Sequence, residues 1–197
     1  MRIIDHLMGF PCLYAAVQNT IAAGLHRDVK TRLCNVIPDQ KGVKILDIGC
    51  GLGDYSILFR QSVYTGLDWD ERYIKRASAH YGRKGITFVV GDAAQISFPA
   101  GHFAYCFSVG LYHHMSDEAV VASLSEALRV AGPGKVTILD AIYPLRGNWP
   151  GYLLRKLDRG KFVRAFEAYS KLLNDHFSMQ EISAHRAGVF DYIYYRL

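Results

Sequence analysis

Val43-Lys44-Ile45-Leu46-Asp47-Ile48-Gly49-Cys50-Gly51-Leu52-Gly53 reads as a strand followed by a glycine turn. Val43, Ile45, Leu46 and Ile48 make a short apolar run with one acid, Asp47, inside it. A run of that length closed by glycine is the pattern of a buried parallel strand. Gly49, Gly51 and Gly53 alternate, so the backbone can turn tightly and let a ligand come close. A helix starting near Asp54 would aim its N-terminal N–H groups at that ligand. The spacing narrows the ligand further. A dinucleotide turn reads G-x-G-x-x-G, and its last glycine position is here Asp54. An acid there repels a pyrophosphate, so the turn fits a nucleoside without phosphate better than NAD.

Two more acids fall at strand ends. Ser62–Asp68 (SVYTGLD) predicts the next strand, with Asp68 at its end. That is about the distance beyond a glycine turn at which an acid meets a ribose diol. A carboxylate accepts two hydrogen bonds at once, which suits neighbouring hydroxyls. Ile86–Val90 (ITFVV) predicts a third strand, closed by Gly91-Asp92-Ala93.

Strand and helix signals alternate from 42 to 143. A short helix is expected over 54–61 and another over 71–81, with Ile74, Ala77 and Tyr81 on one face. Phe103–Val109 is the fourth strand. Ser116 caps a helix over 117–130 whose stripe is Val120, Val121, Leu124, Ala127 and Leu128. Ala131-Gly132-Pro133-Gly134 breaks the chain, and Val136–Tyr143 is the fifth strand. This alternation predicts an α/β fold, a doubly wound parallel sheet with helices on both faces. After Pro144 the pattern changes. Residues 144–161 are rich in Arg, Lys, Gly and Pro, 162–176 is amphipathic, and 180–185 with 189–197 read as an antiparallel hairpin.

LDIGCGLG closely resembles the first motif of the class I S-adenosylmethionine-dependent methyltransferases. The resemblance covers about residues 40–197. It implies a Rossmann-like, mostly parallel seven-stranded sheet ending in a hairpin, with S-adenosylmethionine as cofactor and S-adenosylhomocysteine as product. It also implies that Asp68 holds the ribose and that Asp92 contacts the adenine amino group. The cofactor set is then Asp47, Gly49, Cys50, Gly51, Gly53, Asp68, Trp69, Asp92, Ala93 and Ser108, with Trp69 as a stacking surface and Cys50 a small packing residue. Helices over 10–24 and 26–37 resemble the extra N-terminal helices that close the acceptor pocket in this superfamily. Residues 1–40 are therefore expected to lid the pocket and 41–197 to form the methyltransferase domain. The chain also looks similar to small bacterial methyltransferases of unassigned substrate. They share an F-P-x-x-Y start, here Phe10 to Tyr14, and a D-R-G-x-x-V-R stretch, here Asp158 to Arg164.

Ligands of such sheets sit beyond the carboxyl ends of the strands. The turn after the fourth strand, Gly110 to Met115, would face the transferable methyl, so His113 and His114 are candidate bases, with Tyr143 a third. Adjacent histidines diverge and no third ligand is near, so no metal site is expected. Tyr14, Tyr112, Arg159 and Arg164 are candidate acceptor contacts, the arginines because the basic stretch 155–164 could clamp an anionic group.

The bulk properties set outer bounds. The chain has 197 residues, half of them hydrophobic, enough for one domain with a real core. Cys12, Cys34, Cys50 and Cys106 form no C-x-x-C, which argues for reduced thiols in a cytoplasmic protein. No apolar run is long enough for a membrane span. Net charge is +5, from 23 Lys and Arg against 18 Asp and Glu. With no appended RNA-binding domain, that modest excess counts against nucleic acid as partner. The expected activity is methyl transfer to the O, N or C atom of a small-molecule acceptor by direct displacement. Two alternatives stand beside it. One is a nucleic-acid or protein methyltransferase. The other is a nucleoside-binding fold member that acts as a partner subunit or in a cofactor-assisted rearrangement.

Overall fold

The computed structural model describes residues 26–155 and 161–197. The expected helix over 10–24, Tyr14 and Arg159 lie outside them. Seven strands form one sheet in the order β3-β2-β1-β4-β5-β7-β6. They are β1 (Lys44–Ile48), β2 (Val63–Asp68), β3 (Ile86–Val90), β4 (Tyr105–Val109), β5 (Val136–Ala141), β6 (Glu181–Ala187) and β7 (Phe190–Arg196). Strands β1 to β5 pair in parallel. Strand β7 runs antiparallel to both β5 and β6. Strand order reverses between β1 and β4, the place where doubly wound sheets open a crevice for ligands.

Side-chain alternation splits the core into two faces. Leu46, Ile48, Cys106, Ile138 and Ile193 point to one, where they meet α3 (Asp117–Ala131) and α5 (Phe166–His176) through Val120, Leu124, Tyr169 and Leu173. Ile45, Tyr64, Phe107, Leu139 and Tyr194 point to the other and meet α1 (26–36) through Val29 and Leu33. Helix α2 (Glu71–Tyr81) packs on β2 and β3 and buries Ile74 and Ala77. A short α4 (Trp149–Arg155) follows β5. It is tied to the hairpin by Asn148, whose side-chain amide donates to Asp191 Oδ2 and to the Val189 carbonyl.

Two helix caps follow the sequence. Asp70 accepts from the Arg72 amide at the start of α2, and Ser116 from the Ala119 amide at the start of α3. The helix expected over 54–61 is absent. Only a single 3-10 turn, Ser56–Leu58, forms there. The cause is Asp39. Its carboxylate accepts the amides of Arg60, Gln61 and Ser62 and the Ser62 hydroxyl. In an α-helix those amides would bond back to the carbonyls four residues earlier. Phe59, fully buried, stacks on Tyr64 with ring centroids 6.2 Å apart. Burying that ring contributes about 2–3 kcal/mol and fixes the short route from the glycine turn to β2.

Candidate active site

The glycine turn is built by three left-handed residues, Gly49, Gly51 and Gly53, with φ of 75°, 52° and 80°. The amides of Gly49 and Cys50 both donate to the Leu67 carbonyl, at 2.7 and 3.0 Å, so the turn is tied to the end of β2. A side chain at Gly49 would strike Leu111, and one at Gly53 would lie 2.6 Å from the Phe88 ring. A Cβ on Gly51 would meet nothing within 4 Å, so that face of the turn is open. The Gly51 amide donates to Asp68 Oδ2 and the Asp70 amide to Oδ1, each at 2.9 Å. Asp68 is thereby fixed beside the open face, with acceptor lone pairs to spare.

Asp47, near the end of β1, is 1% exposed. Tyr64 Oη donates to its Oδ2 at 2.6 Å. Burial raises the Asp47 pKa from its ordinary 3.8 to about 7, with the Tyr64 hydrogen bond opposing the rise and Asp68 adding to it. A cavity of about 310 Å³ opens here, lined by Asp47, Gly49, Gly51, Asp54, Tyr55 and Tyr73 among others, and among the described residues no basic one lines it. It suits a ligand that brings positive charge. A second hollow of about 270 Å³ lies behind the turn, against Arg76, His80 and Tyr81.

The remaining residues expected around the cofactor divide. Trp69, directly after Asp68, is 81% exposed and free to stack. Asp92 closes its own turn by accepting the Ala94 amide at 2.8 Å and stays exposed, while Ala93 packs at the margin of the core. Cys50 is buried, and its thiol is pushed far up by burial first and by Asp47 and Asp68 second, which suits packing and not reactivity. Ser108 is fully buried and donates to the Ile48 carbonyl at 2.7 Å, so its hydroxyl cross-links β4 to β1 and faces no ligand.

The acceptor side departs further from expectation. Tyr112 is fully buried, with its hydroxyl 3.2 Å from Ser123 Oγ, so its ring belongs to the core. Arg164 is 9% exposed and donates to the carbonyls of Tyr112, Phe162 and Met115 and to Asp117 Oδ1. Its guanidinium knits the β4–α3 loop to the chain entering α5 and leaves no fork for a substrate anion. Turn Tyr112–His114 is a 3-10 segment that buries His113 and exposes His114, with ring centroids 4.0 Å apart. His113 Nδ1 lies 2.7 Å from Asp140 Oδ1, and Tyr169 Oη donates to Asp140 Oδ2 at 3.1 Å. Tyr143 is 48% exposed, and its amide donates to the Arg164 carbonyl. Among the described residues no cluster of three or more His, Cys, Asp or Glu could hold a metal.

Sequence reading missed Tyr64, Asp140 and Tyr169. Asp140 carried a signal, since it ends the apolar run VTILD just as Asp68 ends YTGLD. Tyr64 and Tyr169 read as ordinary core aromatics, and only the sheet pairing and the α5 face bring them to the acids.

Residues 45–134 match the family described as "Methyltransferase domain". Over 158 residues the chain is 30% identical to malonyl-[acyl-carrier protein] O-methyltransferase of Serratia marcescens, a match covering 77% of this chain and 59% of the relative. It is 29% identical over 154 residues to demethylmenaquinone methyltransferase of Listeria monocytogenes, covering 71% and 60%. The chain thus spans about 60% of the length of these curated relatives. A solved S-adenosylmethionine-dependent methyltransferase of Aquifex aeolicus shares the fold with a TM-score of 0.61 at 18% identity, covering 85% of this chain and 88% of that one.

Residues 45–134 belong to the methyltransferase-domain family.

The cofactor of this methyltransferase family is S-adenosylmethionine, and the residues present fit it. The open face of Gly51 and the spare lone pairs of Asp68 would suit a sugar diol, and the acid-lined cavity at Asp47 a cation. Among its described residues the chain carries no helix long and apolar enough to cross a membrane.

Proposed function

We propose that the protein transfers a methyl group from S-adenosylmethionine to a small-molecule acceptor by direct displacement. The observation that carries this is Asp68, held by the Gly51 and Asp70 amides beside the open glycine turn, whose Gly51 lines the same cavity as buried Asp47. When bound, the cofactor supplies an activated methyl group with a neutral leaving group. Asp68 would accept hydrogen bonds from the ribose hydroxyls. Asp47 would balance positive charge, Trp69 would cover the base, and the free Asp92 oxygen would accept from its amino group. The chemistry asks mainly for alignment and exclusion of water, and positioning alone supplies about 7–11 kcal/mol.

The Serratia and Listeria relatives are named for a malonyl group on acyl-carrier protein and for demethylmenaquinone, which supports a small organic moiety as acceptor. Residues 1–40 are proposed to cover the acceptor side. Helix α1, with Val29 and Leu33 in the core, would act there as a fixed wall. Calorimetric titration with S-adenosylmethionine and S-adenosylhomocysteine tests the reading, followed by an acceptor screen with labelled methyl. Micromolar binding of both is expected. No binding of either by the folded protein would refute it.

A further inference from the structure

Beside the cofactor cavity the structure holds a second set of polar groups that cofactor binding does not use. Val109, the last residue of β4, lines the cavity, and the Gly110–His113 turn follows it directly. Strand register places Val109 opposite Leu139, so Asp140 stands next to that turn. Asp140 is 2% exposed and engages two partners, His113 Nδ1 at 2.7 Å and Tyr169 Oη at 3.1 Å. An ionised carboxylate only accepts hydrogen bonds. A hydrogen bond between the two is therefore made by a hydrogen on His113 Nδ1, which leaves Nε2 as the nitrogen that can take a proton.

The ring is held from several directions. Its Cε1 lies 3.7 Å from where a side chain on Gly110 would begin, and Gly110 has φ of 68°. The His114 ring lies against it, and the His113 carbonyl accepts the Phe162 amide at 3.0 Å. Tyr169 is fixed in turn, fully buried, with the Arg164 guanidinium 5.3 Å from its ring centroid. The His113 side chain keeps 10% of its surface accessible. A histidine whose one nitrogen is locked on a buried acid, in the turn that directly follows the cavity-lining Val109, has the arrangement of an oriented base.

We propose that His113 removes a proton from the acceptor, with Asp140 and Tyr169 as positioning residues. The acceptor is then a group that loses a proton on methylation, a phenol, an enol or an acidic C–H, and not a tertiary amine or a thioether. The inference rests on the methyl-transfer reading. The acceptor proton moves to Nε2, and the electron pair it leaves behind forms the bond to the methyl carbon. The carbon–sulfur bond breaks with its pair kept on sulfur, which becomes neutral. The imidazolium, stabilised by Asp140, then returns its proton to water.

Ring ¹⁵N spectra of the full chain labelled at histidine, recorded at pH 8 without cofactor, test the orientation. His113, assigned by the signal lost in His113→Gln, is expected to carry its hydrogen on Nδ1. A hydrogen on Nε2 would overturn the proposal whatever the activity. Labelled S-adenosylmethionine is then offered with a panel of phenols, enols, tertiary amines and thioethers. Transfer to a phenol or enol is expected, with kcat lowered about 10²–10⁴-fold in His113→Gln and Asp140→Asn and KM for S-adenosylmethionine unchanged. Undiminished kcat in His113→Gln, or transfer only to amines and thioethers, would refute the base assignment. His113→Gln keeps a side chain of similar size and polarity in a turn, so it keeps the test open if Asp140→Asn fails to fold. Loss of cofactor binding by the wild-type chain would instead refute the methyl-transfer reading.

Discussion

Asp47 makes cofactor affinity depend on pH in a way that can be worked out beforehand. Its carboxyl is held near a pKa of about 7 by burial, so at pH 5.5 only about 3% of it is ionised and at pH 7 about half. A cationic ligand in the acid-lined cavity draws out the ionised form, so binding must expel the proton. The association constant then rises about 15-fold between pH 5.5 and 7, or about 1.6 kcal/mol. The window stops below the ordinary range of an α-amino group, about 7.7–8.0, so the ligand's own ionisation does not intrude. Calorimetry in buffers of different ionisation enthalpy counts the proton directly, and close to one is expected to leave per molecule bound at pH 5.5.

Two variants sharpen the test. Asp47→Asn should flatten the profile. Tyr64→Phe removes the hydrogen bond that opposes the rise, so the profile should move to higher pH. Stability of the free protein runs the opposite way to affinity. Between 3.8 and about 7 the folded state holds a proton that the unfolded chain has lost, so stability falls as pH rises through that window, by up to about 4 kcal/mol. A Kd constant within twofold across the range, with the same heat in every buffer, would refute the reasoning.

Other variants separate binding from folding. Gly51→Ala should cost only about 1–2 kcal/mol for its left-handed φ, since nothing lies within 4 Å, yet raise the Kd for S-adenosylmethionine more than 10-fold, because its methyl enters the open face. Thermal melting and calorimetry on the same sample check both halves. Asp68→Asn keeps one carbonyl acceptor but loses the charge, and Kd should rise about 10–100-fold; unchanged binding would remove Asp68 from the ribose. Arg164→Ala leaves the Phe162 and Met115 carbonyls without their donor and Asp117 without its ion pair, and should cost about 3 kcal/mol or more, lowering Tm by about 6–12 °C, with cofactor affinity of the folded protein unchanged.

The cofactor half of the site was readable because its chemistry is carried by main chain and local spacing. Gly49, Gly51 and Gly53 announce the turn wherever they occur, and Asp68 sits at the end of its own apolar run. The acceptor half depends on contacts between distant segments. Arg164 looked like a free anion clamp because its four bonds run to residues 112–117 and 162, which no local pattern reveals. Tyr112 and Ser108 sat in the right stretch of sequence, but strand and 3-10 periodicity turned them inward. The helix after Gly53 failed for a similar reason, since the acid that competes for its amides, Asp39, lies on the far side of β1 in the chain.

That missing helix has an electrostatic consequence for turnover. A long helix at this point would set a positive end beside the turn. With only Ser56–Leu58 in its place, Asp47 and Asp54 line the cavity, and among the described residues no lysine or arginine does. The reaction converts a cation into a neutral thioether, so the attraction that draws the cofactor in disappears as the methyl group leaves. Product should therefore bind more weakly than cofactor, and the site clears itself by discarding its own electrostatic hold.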